Sequence, residues 1–148
     1  MSLKKVLEKS LREAMLSKNN VKRDTIRMAL SSLKQLEKDS GKELVDQDVF
    51  GVIQKEIKTR EETITEARNA NREEMIQPLM AEIEILKGYL PKRMSDNDLL
   101  NLLKTVISEL SAETMKDMGK VMKEAIPRTK GAATNDRISK TARSLLQE

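Results

Sequence analysis

Toward the C-terminus, basic side chains outnumber acidic ones. Lys116, Lys120, Lys123, Arg128, Lys130, Arg137, Lys140 and Arg143 are interrupted only by Asp117, Glu124 and Asp136. Cations at this density can hold the phosphates or carboxylates of an anionic partner. Lys116, Lys120 and Lys123 are spaced four and three apart, which places them on one helix face, with Met118, Val121, Met122 and Ala125 mainly on the other. An ordinary solvated helix face, a phosphate surface and an acidic protein partner all fit this spacing. Lys130-Gly131 follows a proline. The glycine can adopt φ > 0 in a helix-to-helix turn, and the next helix then offers free N–H groups and a positive dipole end. The same turn also serves simply to join two helices. Arg23 and Arg27, four apart, are secondary candidates near the N-terminus.

Gly119 lies inside the amphipathic stretch "KDMGKVMKEAI", where a glycine costs roughly 1 kcal/mol relative to alanine. Close approach of another helix is the expected reason, with close approach of a nucleic-acid backbone as the alternative. Met115, Met118 and Met122 suit adaptable packing or a helix-binding groove, with core packing as the default.

The residue types that are missing narrow the chemistry. With no histidine and no cysteine, the chain lacks Ser-His and Cys-His nucleophilic pairs, the usual zinc ligand sets, thiol redox chemistry and disulfides. Lysine, carboxylate, backbone and magnesium chemistry stay open; the expectation is no catalytic residue, no metal and no cofactor. Tyr89 and Phe50 are the only aromatic residues, leaving almost no platform for stacking single-stranded bases. No apolar run approaches 18 residues and no signal-peptide core is visible, so the expected protein is soluble, cytoplasmic and not membrane-bound.

Charge is unevenly spread along the 148 residues. Residues 1–34 carry 9 basic and 3 acidic side chains, residues 35–115 carry 11 and 17, and residues 116–148 carry 8 and 4. Basic ends flank an acidic middle, which fits either solvated helix faces or a basic end that meets a polyanion.

These residues must be positioned by helices. Charged residues make up 35 % of the chain and apolar residues 38 %, a balance that favours long helices with thin apolar stripes. The fold class is all-α. A first helix capped by Ser2 runs to Asn19-Asn20, and a second from about Val21 ends at Gly41. A long third helix opens at Asp46 or Gln47, and its charged surface, including Glu56, Glu61 and Glu62, reads as solvent-facing. Asn71 with Glu74 resembles a capping box for a fourth helix, with Pro78 kinking it or delaying its start. The stretch "KGYLPKRMSD" is the expected boundary between an N-terminal helical bundle, residues 1–90, and a small C-terminal domain, residues 91–148. Three short helices make up that second domain: one capped by Ser95, one from about Met115 to Ile126, and one after Thr134.

Two runs then point to a family. Glu-Ile-x-x-Leu-x-x-Tyr-Leu-Pro spans Glu82 to Pro91, and Asp-Met-Gly-Lys-Val-Met spans Asp117 to Met122, with Lys130-Gly131 following. In this order and spacing the sequence resembles the free-standing GatB/YqeY family over nearly its whole length. The resemblance implies an N-terminal helical bundle and a three-helix C-terminal domain. That domain is similar to the tail domain of the glutamine-dependent aspartyl/glutamyl-tRNA amidotransferase, a tail associated with gripping tRNA. It also implies an association with carbon–nitrogen ligase activity that uses glutamine as amido donor. After Lys130-Gly131 the family often has a second basic residue, then Ala, then Asp or Asn, whereas this chain has Ala132, Ala133 and Thr134.

The amide-forming chemistry does not transfer to this chain by itself. It requires ATP activation and an ammonia source, and the sequence has no Gly-x-x-x-x-Gly-Lys-Ser/Thr loop, no cysteine nucleophile and no Ser-Ser-Lys constellation. The expected function is an accessory protein that binds tRNA or a similar structured RNA through phosphates, with a protein partner in tRNA amidation or translation as a further expectation. Its candidate contacts are Lys116, Lys120, Lys123, Arg128, Lys130, Gly131, Arg137 and Lys140. The alternative is a helical protein-interaction adaptor that binds no nucleic acid. Oligomeric state is left open.

Overall fold

The computed structural model describes residues 2–147. Among them are seven α-helices and no strand: α1 (Leu3–Leu16), α2 (Asn20–Ser40), α3 (Asp46–Asn69), α4 (Ile76–Lys87), α5 (Asp96–Leu110), α6 (Met118–Thr129) and α7 (Asn135–Leu146). The chain divides into two compact units, Met1–Leu90 and Pro91–Glu148.

Helix ends follow local chemistry. Ser2, Ser95 and Thr134 accept the N–H groups of Lys5, Asp98 and Arg137, which satisfies first-turn donors that have no partner within the helix. Gly41 ends α2 in the left-handed region at φ 68°. Asn71 behaves differently from the sequence expectation. It is left-handed at φ 57°, donates its N–H to the Arg68 carbonyl, and the next amide, Arg72, donates to Ala67. This pair of bonds is a Schellman motif, so Asn71 terminates α3 and does not cap α4. A 3-10 turn over Glu73–Met75 leads directly into α4. Pro78 therefore sits in the first turn of α4, where a missing N–H costs little. Of the two expectations for Pro78, the delayed start is the one realised.

In the first unit α1 packs along α2, and α3 and α4 close the core around Leu7, Ile26, Leu33, Ile53 and Leu86, each essentially inaccessible to solvent. The start of α1 is tied to the start of α3 by the Leu3 N–H, which donates to the Asp46 carboxylate at 2.9 Å. In the second unit α5, α6 and α7 surround Leu99, Leu103, Val106, Val121 and Ile138. Alanines at 125, 133 and 142 are also buried there. Small residues let short helices approach closely, which helps a unit with little volume to bury.

Helix α6 departs from the expected boundaries at both ends. Met115–Asp117 forms a 3-10 turn and the α-helix proper starts at Met118. At the other end the helix runs through Pro127 to Thr129, three residues beyond Ile126. Pro127 removes one bond, to the Lys123 carbonyl, at an exposed position where water can replace it. Buried Thr129 then closes the end by donating its hydroxyl to the Ile126 carbonyl at 2.8 Å.

Candidate nucleic-acid interface

The basic residues singled out in the sequence separate into two groups. Lys116, Lys120, Lys123, Lys130 and Lys140 are exposed, and among the described residues none of them lies within ion-pair distance of a carboxylate. Lys120 and Lys123 share a face of α6, three positions apart. Lys116 lies in the preceding 3-10 turn, so α-helical spacing does not fix its direction relative to the other two. Lys130 takes the left-handed conformation at φ 50° where α6 ends, followed by Gly131 at φ 83°. Two consecutive positive φ angles reverse the chain, and Ala132 then accepts the Met94 N–H at 2.8 Å, which docks the turn against the start of the unit.

Arg128 and Arg137 are held internally. Arg128 Nη2 donates to Glu109 at 2.6 Å and to Glu124 at 2.7 Å. The hydrogen bond to Glu109, then that to Glu124, raises the Arg128 pKa above the ordinary guanidinium value. Arg137 Nη2 donates to the Met94 carbonyl at 2.8 Å and the Asp96 carboxylate at 2.9 Å. It lines a cleft of about 250 Å³ together with Arg93, Met94, Ser95 and Asp96. The sequence treats these arginines and the lysines alike. The structure assigns the arginines to tying helices together and leaves the lysines at the surface. Arg23 pairs with the adjacent Asp24 at 2.8 Å, and exposed Arg27 places Nη2 3.8 Å from the Met15 sulfur.

Gly119 corrects the packing expectation. It is exposed in the first turn of α6, and a Cβ added there meets nothing within 4 Å. Among the described residues, no helix needs the space. Met118 and Met122 pack against the core of the second unit, while Met115 stays exposed. Just before α6, the Asp117 carboxylate accepts the N–H groups of Glu113 at 2.9 Å and Thr114 at 3.4 Å. These backbone bonds, Glu113's first, hold the Asp117 carboxyl below the usual aspartate range, with a smaller contribution from the Lys120 charge.

One polar group in the first unit is absent from the sequence expectations. Arg60 is only 5 % exposed, and its Nη1 donates to both the carbonyl and the carboxylate of Glu56, at 3.0 and 2.8 Å. Ser32 of α2 donates to the other Glu56 oxygen at 2.6 Å, and Glu82 of α4 stands 3.4 Å from Arg60 Nε. Glu56 is therefore part of an interhelical network and is not simply a solvent-facing charge as read from the sequence, whereas Glu61 and Glu62 are exposed. A signal was available. Arg60 falls on the apolar stripe of Ile53, Ile57, Ile64 and Ala67, and a charge on a buried stripe needs partners.

Among the described residues, no group of three or more acidic side chains is placed to hold a metal ion. No helix among them is long and apolar enough to cross a membrane.

The family described as Yqey-like protein matches residues 4–146. The chain belongs to the YqeY-like family. Several curated relatives of this YqeY-like chain carry the name "Altered inheritance of mitochondria protein 41, mitochondrial". One, from Pyrenophora tritici-repentis, is 29 % identical over 131 residues, covering 87 % of this chain and 72 % of the relative. Another, from Lachancea thermotolerans, is 36 % identical over 85 residues, covering 57 % of this chain and 46 % of the relative. The match thus spans most of the first relative and about half of the second. These names overturn the cytoplasmic expectation, because they point to mitochondria. The physical reason for the miss is that freedom from cysteine and from long apolar runs is equally compatible with a mitochondrial protein.

Proposed function

We propose that this YqeY-like protein is a non-catalytic accessory factor that binds tRNA or a similarly folded RNA through its phosphates. Lys116, Lys120, Lys123, Lys130 and Lys140 are its contacts. The observation that carries this reading is their common state: exposed, and without carboxylate partners among the described residues, while Arg128 and Arg137 are consumed internally. A lysine without a protein partner can exchange its counterion for a phosphate at little cost. With one tyrosine and one phenylalanine, the protein has little to stack on bases, so recognition rests on the shape of folded or duplex RNA. The resemblance of the second unit to an amidotransferase tail favours tRNA within that class and associates the protein with glutamine-dependent amide formation carried out by others.

The test is a competition assay on the full chain with a labelled tRNA transcript. A folded tRNA should compete well, and an unstructured oligonucleotide of equal length poorly. Equal competition by both, or no binding at low salt, contradicts the reading.

A protein-interaction adaptor is the second reading, and exposed Met115, in the 3-10 turn before α6, favours it. Affinity capture with and without nuclease separates the two. A partner retained after nuclease digestion supports the adaptor, and loss of all partners supports RNA.

A further inference from the structure

We propose that Met28 is an oxidation site whose sulfoxide fastens α2 to α3, with hydrogen peroxide or a related peroxide as the oxidant. The inference rests on an imbalance inside the Arg60 network. Arg60 is almost fully buried and carries five N–H donors. Nη1 is matched by two oxygens of Glu56. Nε is buried without a hydrogen-bond partner, although Glu82 stands 3.4 Å away. Nη2 meets the thioether sulfur of Met28, at 3.6 Å. A thioether is a weak acceptor, so this face of a buried cation is poorly satisfied.

The Met28 side chain is open to solvent, with 54 % of the residue exposed. In the oxidation, a sulfur lone pair attacks one peroxide oxygen and the O–O bond breaks. The attacked oxygen gives up its proton to the departing hydroxide, which leaves as water. The thioether loses two electrons to become a sulfoxide and the peroxide is reduced. The new oxygen carries considerable negative charge and sits beside Arg60 Nη2, converting a weak acceptor into a strong, charge-assisted one. Methionine oxidation ordinarily disrupts packing; at Met28 the expected sign is reversed. Met15 provides an internal control. It is 49 % exposed and also faces a guanidinium, Arg27 Nη2 at 3.8 Å, but Arg27 is exposed and its donors are open to solvent.

The test uses the full chain, peroxide treatment, peptide mapping of each methionine and thermal unfolding. Met28→Leu conserves volume and removes the acceptor, and Met28→Gln supplies a permanent oxygen acceptor. Peroxide should convert Met28 to the sulfoxide. Measured as the change in Tm on treatment, wild type should exceed Met28→Leu by about 2–4 °C, and a methionine sulfoxide reductase should reverse the difference. Met15→Leu should behave as wild type. Untreated Met28→Gln should melt above untreated Met28→Leu. The proposal is overturned if Met28 stays unoxidised while Met15 is converted, if treatment shifts wild type and Met28→Leu equally, or if Met28→Gln is no more stable than Met28→Leu.

Discussion

Arg137 and Asp96 are 41 positions apart in sequence, and the Arg137 guanidinium donates to the Asp96 carboxylate at 2.9 Å. The same nitrogen donates to the Met94 carbonyl at 2.8 Å. The start of α7 is thereby tied to the start of α5, and an arginine in the basic segment is assigned to folding. Asp96 is itself almost fully exposed, so the ion pair is worth little and the bond to the carbonyl matters more. Replacing Arg137 with alanine should destabilise the second unit by about 1–2 kcal/mol, because that carbonyl loses its donor. Denaturant unfolding of the variant would measure it.

Arg60 makes a stronger claim on stability. Changing it to leucine leaves Glu56 and Glu82 without the cation that both approach. Removing one partner of a buried ionic group costs about 3 kcal/mol or more. Equilibrium unfolding of Arg60→Leu should show a loss of this size, and an unchanged midpoint would refute the network's role.

Gly119→Ala should stabilise the protein by about 0.5–1 kcal/mol. The added methyl group enters open space, and the helix loses a residue that resists ordering. A drop in stability would mean that the site is crowded after all. A stable variant with weakened RNA binding would show that an RNA backbone uses the space.

The Asp117 carboxyl is held below its ordinary value of 3.8 by the N–H groups of Glu113 and Thr114. A group whose pKa is depressed on folding contributes stability that is complete above the unfolded value and disappears as pH falls through the folded one. Between neutral pH and about pH 5 this contribution should be constant, and it should decline below about pH 4. Comparing the acid unfolding of wild type and Asp117→Ala isolates it. The two curves should converge at low pH, and a constant gap would contradict the assignment.

Much of the fold was legible because helix ends are written in local chemistry. Ser2, Gly41, Ser95 and Thr134 each do what their side chain or its absence dictates. Asn71 is ambiguous in sequence because asparagine suits both an N-cap and a left-handed helix end, and only the bonds made by Arg72 and Asn71 distinguish them. The candidate site was legible as a region but not residue by residue. Lysine and arginine contribute the same charge to a sequence, while the separation of Arg128 and Arg137 from the lysines depends on Glu109 and Asp96, which are remote along the chain. Gly119 shows the reverse problem: a helical glycine implies a close neighbour, and the described residues supply none.

If exposed lysines of the second unit contact RNA phosphates, tRNA binding by the full chain depends steeply on salt. For wild type, log K should fall linearly with log salt, each neutralised phosphate adding a little under one unit of slope. The Lys120→Ala, Lys123→Ala, Lys130→Ala triple variant should keep the wild-type melting temperature and lose about two to three units of that slope. A triple variant that binds with the wild-type slope contradicts the account.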